Sequence, residues 1–235
     1  MPLPFFYEEN LPDTDRFTLS EESSRHIAQV LRMKENEQLL ITNGKGQTLT
    51  VEIITPHKKK TEVKIIHKEF LPQRKPKISI AISFIKSASR FEWFLEKAAE
   101  IGVSAIISLI CKRTEKTHFR EERMKTILIS AMLQSRQAWL PILHKPVKMN
   151  ELLQNKEYEQ KFIAHCFEQE KQVLNDFLVD KTSSKIILIG PEGDFTEEEI
   201  NAALQQNYIP VSLGETRLRT ETAGIVAAVL LMNKR

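Results

Sequence analysis

The 235-residue sequence contains only two cysteines, Cys111 and Cys166, which are too few for a disulfide framework. Neither has a cysteine or histidine partner at zinc-site spacing, so we expect two buried apolar thiols and no bound metal. No apolar run approaches the 18 residues of a membrane-spanning helix. The first nine residues lack the basic and apolar regions of a secretory signal. We therefore expect a cytoplasmic protein without a membrane partner.

The glycine patterns of Rossmann and P-loop phosphate sites are also missing, which argues against ordinary nucleotide cofactors. No Ser-His-Asp set and no catalytic pair of carboxylates stands out. The net charge of +3 is uneven, because residues 76–150 carry 13 Lys and Arg against 6 Asp and Glu. This middle third is where we expect a polyanion to bind, if one binds. The alternative interpretation is that these basic residues lie on a solvated helix surface and bind no polyanion.

The first seventy residues have a β-rich pattern, with the hairpin signal Asn43-Gly44 between two runs of β-forming residues. They predict a compact, barrel-like domain over residues 1–71, which ends at a basic, proline-containing linker. A short helix beginning at Ser20 is expected to place four side chains on one face: His26, Ile27, Val30 and Leu31. The predicted strands are 38–42, 47–55 and 61–70.

Strands and helices alternate from Ile78 onward, a pattern typical of an α/β domain with a mostly parallel sheet and helices on both faces. We assign residues 76–235 to this domain. The predicted strands are 78–85, 103–111, 162–167, 185–189 and 209–213. The predicted helices are 90–101, 121–138, 169–179 and a last one from about residue 222. Another helix is expected to start after Thr196, with Glu199 in the capping-box position.

Two polar segments, Ile189–Phe195 and Leu213–Ala223, follow the last two predicted strands. Ligands bind at the carboxyl ends of strands in α/β sheets, so the two segments are expected to form one pocket. In the first segment Gly190 and Gly193 are free to take positive φ and to bring the backbone close to a ligand. The first segment alone could be an ordinary strand-turn-helix junction. The clustered arginines, glutamates and threonines of the second have little use in a structural turn.

The motifs LIGPEG…F and LG…LRTETA in these two segments resemble the ribosomal RNA small subunit methyltransferase E family. The resemblance extends to His26–Met33 and to Phe91–Ser104, in the same order, and covers nearly the whole chain. Members of this family belong to the SPOUT, or α/β-knot, superfamily and use S-adenosylmethionine to methylate N3 of a uridine in 16S rRNA. The resemblance implies a trefoil-knot domain after a PUA-like, RNA-binding barrel. It also implies a homodimer that acts on the small ribosomal subunit.

Methylation of N3 requires loss of an imide proton and positive charge near the carbonyl oxygens of the base. We assign the second role to Arg219, whose guanidinium can bridge two acceptors. Glu192, Glu221 or water would take the proton. The alternative for Arg219 is a salt bridge to either glutamate that only orders the loop. The expected cofactor-binding residues are His165, Ile189, Gly190, Gly193, Leu213, Gly214, Leu218, Thr222 and Ala223. The expected RNA-binding residues are Arg25, Arg32, Lys58, Lys59, Lys60, Lys86 and Arg90.

The sequence departs from the family pattern at Asp194, where a second glycine is common, and at Thr216 and Arg217 in the second segment. These changes affect the expected substrate contacts more than cofactor binding. A family helix motif is altered at Leu133–Gln137, so Gln134 and Ser135 are candidate site or dimer-interface residues. The surfaces expected to pair in the dimer are helix 121–138 and the apolar last helix, through Ile225, Val226, Val229 and Leu230.

Two other functions remain open from the sequence. One is a SPOUT enzyme that methylates a ribose 2′-oxygen or a tRNA, against which the LRTETA stretch argues. The other is a non-catalytic RNA-binding assembly factor built on the same fold. Binding of S-adenosylmethionine would separate the enzyme from the assembly factor.

Overall fold

This computed structural model describes residues 2–167, 171–177 and 182–232. The chain forms two compact units. The first unit comprises Met1–Gln73 and Met132–Leu140, and the second comprises Arg74–Ala131 and Pro141–Arg235. The break after Gln73 lies inside the predicted linker. The return of Met132–Leu140 to the first unit was not expected from the sequence. Among the described residues, no helix is long and apolar enough to cross a membrane.

The first unit contains a five-stranded sheet with the strand order β1-β3-β4-β5-β2. Its pairs are antiparallel except for β1 with β3. Side chains that alternate along the central strands are fully buried, as Leu39, Ile41 and Leu49 show, and they form the core of this unit. The strands are β1 Phe5–Tyr7, β2 Arg16–Thr18, β3 Gln38–Thr42, β4 Gln47–Thr55 and β5 Glu62–Phe70.

The predicted hairpin turn after β3 is confirmed. The Asn43 side chain accepts hydrogen bonds from the backbone N–H groups of Lys45 and Gln47, at 2.8 and 3.3 Å. Gly44 and Gly46 both have positive φ. A Cβ on Gly46 would lie 2.6 Å from the Trp139 ring, so the turn needs glycine for its space as well as for its conformation.

The predicted single apolar face of the first helix is wrong. The helix α1, Glu21–Arg25, is capped by Ser20 and continues directly into one π-helical stretch, His26–Val30. The wider π turn changes the angle between successive side chains, so a pattern counted on an α-helix goes out of phase. Ile27 is therefore fully buried, whereas Val30 is 65% exposed and Leu31 is 43% exposed.

The second unit contains a seven-stranded sheet with the order β10-β12-β9-β11-β6-β7-β8, and all its pairs are parallel. This confirms the predicted α/β class. The last strand, β12, is inserted between two strands that precede it in the chain, which fits the α/β-knot fold that the resemblance implies. The strands are β6 Ile78–Ser83, β7 Ala105–Ile110, β8 Ile142–Lys148, β9 Gln160–Ala164, β10 Gln172–Val173, β11 Lys185–Ile189 and β12 Ile209–Ser212.

In the described part of the chain five α-helices follow α1. In α6 a Cβ on Gly224 would lie 2.7 Å from the Phe94 ring of α2, so these two helices pack closely because residue 224 has no side chain. The capping box predicted for α5 is present, since Thr196 and Glu199 each accept the other's backbone N–H. The helices are α2 Ala88–Ile101, α3 Glu121–Gln134, α4 Met149–Leu152, α5 Glu197–Gln205 and α6 Thr220–Met232.

Several predicted boundaries are wrong. Helix α3 ends at Gln134 instead of 138, and Arg136 then takes a positive φ of 55°. In the predicted helix 169–179, the structure shows the short strand β10 and a 3-10 turn, Leu174–Phe177. The rest of that predicted helix lies outside the described residues. The strand β8 and the helix α4 were missed.

Candidate functional site

Three loops meet at the carboxyl edge of the sheet, because β12, β9 and β11 are neighbours there. They are the two polar segments after β11 and β12 and a third loop that starts at His165. Together with the start of α6 they enclose a cavity of about 720 Å³. The predicted site residues that line it are His165, Ile189, Gly190, Glu192, Leu213, Gly214, Leu218, Arg219, Glu221 and Ala223, joined by Arg90 from the predicted RNA-binding set.

The first loop does not use its glycines as expected. Neither Gly190 nor Gly193 has positive φ; the left-handed position is taken by Asp194, with φ of 63°. A Cβ on Gly190 would lie 3.1 Å from the Phe195 ring, so this glycine permits tight packing behind the loop. The departure from the family pattern at Asp194 is therefore tolerated by the backbone, since aspartate enters this region more readily than most residues.

The Asp194 carboxylate ties two of the loops together. One oxygen accepts the backbone N–H of Phe195 and the other accepts that of Cys166, both at 2.8 Å. Hydrogen bonds to a charged acceptor are stronger than neutral ones, so the side chain fixes the first loop against the end of β9. A glycine at position 194 would make neither contact.

Gly193 faces away from the cavity. Its carbonyl oxygen accepts a hydrogen bond of 2.7 Å from the Arg113 guanidinium, which also reaches the Phe195 carbonyl at 3.3 Å. Arg113 was missed by sequence reasoning, because its only signal was membership of the basic middle third. Of the expected cofactor-binding residues, Gly193 and Thr222 are the two that do not line the cavity formed by the described residues.

The second loop begins with Gly214, whose φ of 146° lies in the range that favours glycine. Apart from the two adjoining residues, no heavy atom of the described residues lies within 4 Å of the place where a Cβ would stand, so the backbone here is open. The Ser212 hydroxyl donates to the Gly214 carbonyl at 2.9 Å and orders the start of the loop. Arg217 and Arg219 extend from it as exposed side chains on the cavity wall.

The two glutamates are held by other groups than Arg219. A Glu192 oxygen accepts the backbone N–H of Lys86 at 2.9 Å. Glu221 is only 6% exposed and lies 3.6 Å from the Arg90 guanidinium nitrogen Nε. Among the described residues the Arg219 side chain has no hydrogen-bond or ion-pair partner. The alternative in which Arg219 only orders the loop through either glutamate is therefore not what the structure shows.

His165 is 7% exposed, and neither ring nitrogen has a partner among the described groups. Burial lowers the pKa of this imidazole, the nearby Lys171 ammonium lowers it further, and Asp194 opposes the shift. The Lys171 ammonium donates to the backbone carbonyls of His165 and Phe167, at 3.1 and 2.8 Å. A neutral imidazole with unused donor and acceptor positions therefore stands in the cavity wall.

The cysteines differ from each other. Cys111 is buried as expected, and burial raises the pKa of its thiol to about 12. Cys166 is exposed and lines the cavity, so the prediction of two buried thiols is wrong for this residue. Burial of its sulfur and the Asp194 charge still raise the pKa of the Cys166 thiol. The described residues contain no group of three or more His, Cys, Asp or Glu that could hold a metal ion.

None of the other predicted RNA-binding residues lines this cavity. Lys86 is exposed beside it and pairs with Glu115 at 2.7 Å. In the first unit Lys59 lies 3.7 Å from Glu21. The remaining four side chains of that set are exposed in the first unit: Arg25, Arg32, Lys58 and Lys60.

Two family models match the chain. An RNA methyltransferase domain matches residues 72–232, and an RNA methyltransferase PUA domain matches residues 19–66. The chain is also 28% identical to the ribosomal RNA small subunit methyltransferase E of Bacillus subtilis (strain 168), over 94% of this chain and 91% of the relative.

Two solved structures resemble the whole chain. A probable rRNA-methyltransferase from Porphyromonas gingivalis is 36% identical, with a TM-score of 0.90 over 96% of this chain and 95% of the other. The ribosomal RNA small subunit methyltransferase E of Neisseria gonorrhoeae, bound to S-adenosyl methionine, is 29% identical, with a TM-score of 0.86 over 97% and 96% of the two chains. The chain therefore belongs to the RNA methyltransferase family, as a member of its ribosomal RNA small subunit methyltransferase E group.

Proposed function

We propose that this protein transfers the methyl group of S-adenosylmethionine to N3 of a uridine in 16S rRNA. It would act in the cytoplasm, as a homodimer, on the small ribosomal subunit. The observation that carries the proposal is that both polar segments line one cavity, to which Glu192, Glu221 and Arg219 all contribute. Family membership supports the reaction class, and the names of the relatives support the rRNA substrate.

The cavity fits this cofactor. Its volume of about 720 Å³ lies within the range of small-molecule sites, about 300–1,000 Å³. The open backbone at Gly214 offers peptide groups without a side chain in the way, and the unpartnered His165 nitrogens offer a donor and an acceptor. When bound, S-adenosylmethionine supplies an electrophilic methyl group. The residues that would hold it are His165, Ile189, Gly190, Leu213, Gly214, Leu218 and Ala223.

Arg219 would stabilise the negative charge that develops on the uracil carbonyl oxygens as N3 loses its proton. Its guanidinium is exposed on the cavity wall and is not held by a carboxylate of the described residues. A planar guanidinium without an ion-pair partner can bridge two acceptors on a flat base. An arginine held in an ion pair would first have to leave its partner.

For the proton, we assign the acceptor role to Glu192 and an organising role to Glu221. Glu221 is buried and already lies against the Arg90 guanidinium, so its negative charge is balanced by a group of the protein itself. Glu192 is held by one backbone N–H, and it lines the same cavity. Water remains the alternative acceptor, and replacing Glu192 by Gln would then leave the pH dependence of methyl transfer unchanged.

Replacing Arg219 by Ala tests the assigned chemistry. Loss of one group that stabilises developing charge lowers kcat by about 100-fold or more, so we expect a loss of that size with little change in cofactor affinity. Single-turnover methyl transfer and calorimetry with S-adenosylmethionine measure the two quantities. Arg219→Lys keeps the charge but not the planar fork, and should recover only part of the rate. Equal losses of rate and cofactor affinity would make Arg219 a loop-ordering residue instead.

The homodimer is supported by the outer face of α6. Val229 is 45% exposed, and Ile225, Val226 and Leu230 beside it are partly exposed. Contiguous apolar surface of this kind marks interaction sites. Sedimentation of Val229→Glu against the unchanged protein checks the proposal, since a charge in the interface should give monomers. A monomeric unchanged protein would overturn it.

A further inference from the structure

A second cavity of about 250 Å³ lies in the second unit, where β6 leads into α2. Its floor is apolar, since Phe84 and Phe91 are buried with ring centroids 5.4 Å apart. The Phe119 ring stands edge-on to Phe84 at 6.4 Å. The cavity is smaller than drug-sized sites, so it suits one flat ring and not a peptide segment. The exposed residues that line it are Lys86, Ala88, Lys116, His118 and Arg120.

The rim of this cavity is basic. The side chains of Arg120 and His118 are exposed and have no hydrogen-bond or ion-pair partner in the described part of the chain. Lys116 donates one hydrogen bond to the Lys86 carbonyl at 3.2 Å, and an ammonium has two further donors. The only carboxylate among the residues that line the cavity, Glu92, is neutralised by a two-point ion pair with Arg123. The surplus charge on the rim is therefore positive.

The two cavities lie next to each other. The backbone N–H of Lys86, on the rim of the second cavity, donates to Glu192, which lines the first. The first turns of α2 then send Arg90 to the first cavity and Phe91 to the second. An RNA strand that presents a base to the first cavity would run next to the second, whose apolar floor and cationic rim suit the base and the phosphate of a neighbouring nucleotide.

We propose that this second cavity binds a nucleotide that flanks the methylated uridine, with its base on the Phe84–Phe91 floor and its phosphate on Arg120 and Lys116. This inference rests on the proposed RNA methyltransferase function. It assigns to loop 116–120 a role in placing the RNA, separate from the groups that carry out methyl transfer.

Kinetics with unmethylated small ribosomal subunits test the proposal through three variants. Arg120→Ala removes the phosphate contact and should raise the KM for RNA about 10-fold, with kcat at saturating RNA unchanged. It should also lower the salt slope of binding by about 1. Ala88→Phe fills the cavity mouth from an exposed position and should raise the same KM without changing the salt slope. Ala88→Met is a smaller blocking variant in case the first one folds poorly.

Lys112→Ala is the matched control, because Lys112 is exposed in the connection between β7 and α3, where Arg120 also lies. It pairs with Glu198 and does not line the cavity. If Arg120→Ala and Lys112→Ala raise the KM for RNA equally, RNA is attracted only by the overall positive charge of this surface, and the proposal is overturned. It is also overturned if both Ala88 variants keep the normal KM. An Arg120 effect on assembled subunits but not on protein-free 16S rRNA would identify a protein partner instead. Failure of the unchanged enzyme to methylate rRNA would refute the proposed function itself.

Discussion

Single side chains decide how the loops of the site are held. Asp194 joins the loop after β11 to the end of β9, and Arg113, which follows β7, donates to a carbonyl of the same loop. Neither contact could be predicted from the sequence, because Arg113 and Gly193 lie 80 residues apart in the chain. The glycines were visible in the sequence, but the residue that takes the left-handed conformation was not, since both glycine and aspartate can adopt it and the local sequence does not decide between them.

His165 should make the stability of the protein depend on pH. Because its pKa is lowered in the folded state, the unfolded chain binds more protons, and the free energy of unfolding falls as pH drops through the unfolded value of about 6.5. Urea unfolding at pH 7.5 and 6.0 measures this loss, which should be smaller in His165→Gln. The same substitution at the exposed His144 is the control. An unaltered pH dependence in His165→Gln would show that another group is responsible.

Among the secondary-structure elements, those with a strong local pattern were predicted well. β11 contains three isoleucines and is buried on both faces, and α5 carries its capping box in its own sequence. The strand β8 was missed because its sequence contains Pro146, His144 and two lysines, which do not suggest a strand. It lies at the edge of the sheet, where a proline is tolerated because its missing N–H breaks no pairing.

The cap of α5 connects the first polar loop to the rest of the unit. Glu199 accepts the Thr196 N–H at 2.9 Å and also the Lys112 N–H at 2.7 Å. Thr196→Ala should lower the free energy of unfolding by about 1 kcal/mol, the usual cost of losing a helix cap. Glu199→Ala should cost more because it leaves a second N–H without its partner. Thr196→Ser keeps the cap and should be near neutral in urea titrations. Equal stability of Thr196→Ala and the unchanged protein would contradict the role of the cap.

For the complete chain, the alternation of strands and helices predicted the class of the second unit, and the five β-strands of the first were predicted in part. The return of Met132–Leu140 to the first unit depends on long-range contacts, such as the hydrogen bond from the Trp139 indole to the Leu71 carbonyl at 2.7 Å. Periodicity in the sequence reports only which side of an element is buried, and not against which distant segment it packs. The cofactor and the RNA came from the family resemblance, not from the pattern of the residues.

The proposed reaction is decided by mass spectrometry of nucleosides from 16S rRNA. Small subunits from a strain without this protein are incubated with the purified chain and S-adenosylmethionine, and 3-methyluridine is then measured. The proposal predicts that 3-methyluridine is absent before incubation and appears after it, and that it does not appear with Arg219→Ala in the same time. An unchanged amount of 3-methyluridine in the strain without the protein, or methylation at a ribose 2′-oxygen instead of N3, would contradict it.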